Sequence, residues 1–165
     1  MSNKFEILMH QLDMPLEMRN SEAFLNAEIE KVLVHKVSRV WEFHFSFANI
    51  LPIEIFRELQ KRLVQEFSKT GNQAIFEIHC SAPQVTDELL QAYYQLAFEE
   101  GPCASHGFKS LYQDLQVHLD GDKLLIEGAS TIDTEHFRKN HLPNLSRQLV
   151  KYGFPHLTCQ VQHSD

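Results

Sequence analysis

The chain has 165 residues, 43% hydrophobic and 22% charged, with 12 phenylalanines and a net charge of −7 from 15 basic against 22 acidic side chains. That is enough for one domain or two small ones with a self-sufficient core, and no apolar run approaches the ~20 residues that span a bilayer. The acidic balance repels phosphate, which counts against a stand-alone nucleic-acid binder. The scattered Cys80, Cys103 and Cys159, and an N-terminus charged throughout, point to a reducing cytoplasm without a signal peptide.

Residues 5–18 carry Phe5, Leu8, Met9 and Leu12 at helical spacing, with Pro15 ending or kinking that helix. Ser21 is placed to cap a second helix with a stripe of Phe24, Leu25 and Ile29. KVLVHKVSRVWEFHFSF predicts two strands joined near Lys36 to Arg39. Pro52 opens a helix whose apolar face is Ile55, Phe56, Leu59, Leu63, Val64 and Phe67; KTGN stops it, and QAIFEIHC follows as a strand.

Beyond Pro83, Thr86 can cap a helix bearing Leu89, Leu90, Tyr93, Leu96 and Ala97. EEGPCASHGF predicts a loop and KSLYQDL a short helical turn. Asp120-Gly121 sits between alternating strands in LQVHLDGDKLLIEG, a hairpin signature. A helix starting near Asp133, interrupted by Pro143 and closed by Gly153, leads to a last strand, HLTCQVQ.

The two halves repeat. Val34-His35 and Val117-His118 mark one strand in each, Glu54 to Arg57 and Glu135 to Arg138 open one helix in each, and Gly71 and Gly153 close those helices. The order strand, strand, helix, strand therefore occurs twice, about 80 residues apart. This predicts two small α+β modules, 1–82 and 83–165, each a short, mostly antiparallel sheet with helices packed on one face.

In VWEFHFSF, Trp41, Phe43, Phe45 and Phe47 share one parity. They would form a base-stacking platform, a ligand pocket or a core. A stacking platform wants basic residues and glycine around its rings, whereas Glu42 and His44 interleave here. A core is favoured, because each buried aromatic stabilises the fold by roughly 1.5–3 kcal/mol.

No catalytic or metal-binding signature stands out. HExxH, CxxC with histidine, GxxxxGK[ST] and GxGxxG are all missing. Cys103 and His106 are spaced for a thiolate–imidazole pair, but no third orienting group is near them in sequence. Arg57, Lys61 and Arg62 cluster on one predicted helix, and Arg138, Lys139, Arg147 and Lys151 on its counterpart. These are either solvated faces or a candidate binding surface for an acidic partner or a nucleic-acid backbone.

VWEFHFSFANILP followed by EIFRELQKRLVQEF resembles the N-terminal region of the PolC-type DNA polymerase III alpha subunit, through Trp41, Phe43, Leu51 and Pro52. GPCASHGFKSLYQDL, LLIEG and HFRKNHLPNLSRQLVKYGF resemble its streptococcal or lactococcal form. The resemblance covers essentially the whole chain. It implies the first and second N-terminal modules of a replicative polymerase, shortened type II KH-like folds whose catalytic residues lie further along. It implies no cofactor and no catalytic residue within these modules, and docking to replisome proteins such as the clamp-loader tau subunit. The GxxG loop with which KH domains grip nucleic acid is missing here. Single-stranded nucleic-acid binding through the basic helices is the alternative, and a small Cys103/His106 enzyme the third reading.

Overall fold

The computed structural model describes residues 2–100, 115–128 and 142–163. The chain divides into two compact units, Met1–Gln84 and Val85–Asp165.

The first unit opens with α1, Asn3–Gln11, capped by the Ser2 hydroxyl, which accepts from Phe5 N. Phe5, Leu8, Met9 and Leu12 are all buried, as their spacing predicts. The helix stops well before Pro15, where Asp13 turns left-handed at φ 53°. Pro15 instead precedes the single-turn α2, Leu16–Arg19. The expected second helix at Ser21 is absent. Glu22–Phe24 form one 3-10 turn, without a side-chain bond from Ser21. Asn26 reverses the chain at φ 62°, so only Phe24 of the expected stripe is buried and Leu25 faces solvent. Ile29 belongs to a strand, paired with Phe45.

That strand, β1 (Glu28–His35), pairs antiparallel with β2 (Val40–Phe47) through a turn in which Arg39 is left-handed. The 16-residue helix α3, Ile53–Ser68, follows Pro52 and returns the chain to β3, Gln73–Cys80. A helical crossover delivers the next strand in the same direction, and β3 is parallel to β2 in the order β1-β2-β3. The sheet is therefore mixed, one antiparallel and one parallel pairing, rather than mostly antiparallel. Phe43, Phe45 and Phe47 are buried, and Trp41 is half-buried with its ring centroid 5.1 Å from that of Phe67 on α3. Phe45 meets Phe5, Phe43, Phe47 and Phe76. The rings of VWEFHFSF are core. On α3, Phe56, Leu59 and Leu63 are buried, whereas Val64 lies on the outer side.

The second unit begins with α4, Asp87–Glu99, capped by Thr86 Oγ1, which accepts from Leu89 N at 3.1 Å. Strands β4 (Gln116–Asp120) and β5 (Lys123–Gly128) form the hairpin, with Gly121 at φ 62°. Helix α5, Leu142–Lys151, carries Pro143 in its first turn, where a missing N–H costs nothing. β6, Thr158–His163, then pairs parallel with β5 in the order β4-β5-β6. The predicted 101–114 loop and turn, and the start of the helix near Asp133, lie outside the described residues.

Both units share the device that ends the helix before the last strand. Asn72 N donates to Phe67 O, and Phe154 N to Leu149 O, each at 3.1 Å, across a glycine at positive φ, Gly71 or Gly153. This is the Schellman arrangement, which satisfies orphan carbonyls at a helix end. The repeat read from the sequence is a repeat of topology and of helix ending.

Candidate interaction surfaces

Arg57 and Lys61 stand one turn apart on the exposed side of α3, opposite Phe56, Leu59 and Leu63. Arg62 is half-buried and engaged within the unit. Its Nε donates to Glu58 Oε1 at 2.5 Å, and its Nη1 to the carbonyls of Leu12, at 3.3 Å, and Asp13. Those carbonyls belong to the end of α1, so the guanidinium fastens α1 to α3. The hydrogen bond from Arg62 Nε holds the Glu58 carboxyl below its ordinary range.

In the second unit, Arg147 and Lys151 are one turn apart and exposed on α5, opposite Leu142, Leu145 and Leu149. Arg147 Nη2 donates to Asn144 Oδ1. Counting back from the two helix-ending glycines, Lys151 matches Lys69 and Arg147 matches Gln65. The basic pairs thus sit at different places on the repeated helix. Arg138, Lys139, Cys103 and His106 lie outside the described residues.

The first sheet has a second, open face, on the side where Glu42 and His44 interleave with the rings. Register brings Lys31, Leu33 and His35 of β1, Glu42 and His44 of β2, and Ile75, Glu77 and His79 of β3 to that side. Glu42 is its centre: Oε2 is 2.6 Å from His44 Nε2, and Oε1 is 3.8 Å from His35 Nε2. His44 Nδ1 lies 3.7 Å from Glu77 Oε2, and Glu30 stands 3.5 Å from His79. The His44 hydrogen bond and charge, with His35 and Lys31, hold the Glu42 carboxyl low against a desolvation that opposes them. The parity of Glu42 and His44 was legible; their junction with His35 and Glu77 required the strand register. Among the described residues no cluster of three or more histidine, cysteine or carboxylate side chains is arranged to hold a metal.

Cys80 is inert by environment. Burial pushes the Cys80 thiol up to about 11, and Cys159 directs its Sγ at Leu157 O, 3.8 Å away. Burial also raises the Tyr152 phenol, which donates to Glu100 Oε1 at 2.8 Å and accepts from Gln148. No helix among the described residues is long and apolar enough to cross a membrane.

The chain was compared with known families and proteins. The family "DNA polymerase III polC-type N-terminus I" matches residues 4–78, and "DNA polymerase III polC-type N-terminus II" matches residues 92–165. The chain is 94% identical over its whole length to the DNA polymerase III PolC-type of Streptococcus sanguinis strain SK36. It is 63% identical over its whole length to that of Streptococcus pneumoniae strain D39. Over 98% of its length it is 50% identical to that of Streptococcus pyogenes strain Manfredo. It spans 11% of the length of each of these relatives. No solved structure matches. Two matched families in tandem, on two units of one topology, lead to a single assignment: the chain belongs to the N-terminal I and II regions of PolC-type DNA polymerase III.

Proposed function

We propose that this chain is a non-catalytic docking region that tethers a replicative DNA polymerase within the replisome, to a partner such as the clamp-loader tau subunit. The parent would carry out DNA-directed DNA synthesis with 3'-5' proofreading in the cytoplasm, using residues beyond these two modules. The observation that carries the reading is the tandem match of both halves to polymerase N-terminal regions, at 94% identity to a named polymerase. The domain division at 82/83 and the shortened KH-like kinship belong to the same proposal, and the missing GxxG loop favours protein over nucleic acid as the ligand.

The candidate binding surfaces are Arg57 and Lys61 on α3 in the first unit and Arg147 and Lys151 on α5 in the second, with Arg138 and Lys139 outside the described residues. Arg62 supports the first by fixing α3 against α1. The second reading, single-stranded nucleic acid on these same faces, draws on the exposed Arg147 and Lys151 and is opposed by the net charge of −7.

The test is a titration against the tau subunit and, separately, against single-stranded DNA, at low and moderate salt. Saturable tau binding with a shallow salt dependence, weakened by Arg57→Ala/Lys61→Ala or by Arg147→Ala/Lys151→Ala, supports docking. Binding to DNA alone, collapsing as salt rises through loss of counterion release, establishes the second reading and overturns the first.

A further inference from the structure

β1 is an edge strand with a neighbour on one side only. Gln73 N donates to Arg39 O at 2.9 Å, so that carbonyl faces β3. Parallel-ladder alternation then turns the backbone groups of Val40 towards β1, where Val40 is paired with His35. His35 and Leu33 therefore direct their N–H and C=O groups inward, and Val32 and Val34 direct theirs outward. Among the described residues no hydrogen bond reaches those outward groups. The side chains along this edge are apolar and wet: Val32 is 37% exposed, Leu33 39%, Val34 46%, and Val37 in the following turn fully so.

The corresponding edge of the second unit is closed. Val117 N donates to Gln91 Oε1 at 3.1 Å and Leu119 N to Asp87 Oδ1 at 2.9 Å, both acceptors on α4. Gln91 Nε2 also donates to Leu115 O at 3.5 Å, so its amide group takes the place of one peptide unit of an added strand. Aligned on the hairpin ends, His35–Val40 and Asp120–Lys123, the outward Val32 and Val34 of β1 are the counterparts of Val117 and Leu119. One sheet edge is filled by side chains of its own unit, and the other is left, among the described residues, as an apolar row of free donors and acceptors, the ordinary template for strand addition.

We propose that the β1 edge is a self-association site, at which a second copy of this chain pairs antiparallel through its own β1 and joins the two sheets into one of six strands. The two-fold axis passes beside Leu33, which faces its own counterpart. Val32 of each copy then lies opposite Val34 of the other, and every outward N–H of the two valines meets the carbonyl of the valine opposite. The charges along the strand select this occupant and this direction. β1 starts acidic, at Glu28 and at Glu30 in the register shift between Ile29 and Lys31, passes through Lys31, ends at His35 and is followed in the turn by Lys36. Antiparallel pairing sets the acidic end of each copy against the basic end of the other, whereas parallel pairing would set like against like. A seam of one strand per copy is at the low end of interface sizes, which gives a concentration-dependent dimer with a Kd on the order of tens of micromolar.

Sedimentation velocity of the 165-residue chain from about 1 to about 200 μM, a range bracketing that Kd, tests the proposal. The expected result is a shift from monomer to dimer across the series. Val34→Pro removes an outward N–H that pairs with nothing in its own sheet, a position where edge strands tolerate proline. It should abolish the shift while the far-UV circular dichroism is kept. Leu33→Lys, which leaves the backbone untouched, should do the same by setting two ammonium groups face to face, and it decides the matter if Val34→Pro unfolds. Glu30→Lys should weaken the dimer at least several-fold, and adding Lys36→Glu should restore it. A chain that stays monomeric throughout, or a dimer that survives Leu33→Lys, overturns the proposal.

Discussion

The two units have the same strand order, the same antiparallel-then-parallel pairing and the same glycine-ended helix, yet the helix preceding each hairpin is used differently. In the first, Phe5, Leu8 and Met9 of α1 complete a phenylalanine core with Phe24, Phe45 and Phe47. In the second, α4 buries Leu90, Tyr93, Tyr94, Leu96, Ala97 and Phe98, and also hands Asp87 and Gln91 to the β4 edge. A topology settles which strands are edges; the side chains of one neighbouring helix settle whether an edge is open. The same small mixed sheet can therefore be closed in one copy of a repeat and available in the next.

The comparison breaks hardest at the first core. Phe45 is fully buried against four other rings, and Phe45→Ala removes its transfer free energy and leaves a cavity, together about 3–5 kcal/mol. That is a large part of the stability of a small domain. Calorimetry should show the first unit's transition lowered or lost, with the second unit's retained, because Tyr93, Tyr152 and Phe154 form a separate aromatic cluster. Loss of both transitions together would mean that the two units do not hold their cores independently.

A smaller change sharpens the contrast between the edges. Gln91→Ala takes the acceptor from Val117 N, on a residue only 2% exposed. Leaving a buried donor unpaired costs about 1–3 kcal/mol. Amide exchange at Val117 should accelerate accordingly. In the unaltered chain at low concentration, Val32 and Val34 should already exchange fast while Val117 and Leu119 are protected. Equal protection at both edges would remove the distinction.

The sequence made the core of the first unit legible because period-2 and period-3.6 patterns coincide there. Trp41, Phe43, Phe45 and Phe47 present one parity to the face of α3 that carries Phe56, Leu59 and Leu63. Helix endings at Gly71 and Gly153 were legible for the same local reason. What needed the structure was non-local. Arg62 reads as one more cation beside Arg57 and Lys61, and only the fold brings the carbonyls of Leu12 and Asp13, some fifty positions earlier in the chain, to its guanidinium. Phe24 and Leu25 look like the start of a helical stripe, but pairing of Ile29 with Phe45 draws the chain into a strand before a helix can form. The parallel pairing of β2 with β3 likewise follows from the crossover through α3 and leaves no mark in either strand.

The smallest expected effect is on the open face of the first sheet. Glu42 is held below the ordinary carboxylate range first by the hydrogen bond from His44, then by the charges of His44, His35 and Lys31. A carboxylate with a depressed folded pKa contributes stability above its unfolded pKa, and that contribution is lost as pH falls through the folded value. Acidification from the ordinary carboxylate range downward should therefore remove a small increment of first-unit stability, screened because the face is partly solvated. His44→Ala deletes the leading cause, so the Glu42 carboxyl, followed by carbon NMR, should titrate at higher pH and the increment should vanish. The second unit answers with a looser arrangement among its described residues: His118 stands 3.7 Å from Asp87 and 3.6 Å from Glu127. Its melting should be indifferent to His44→Ala, and an equal shift in both units would show that the acid response does not originate at Glu42.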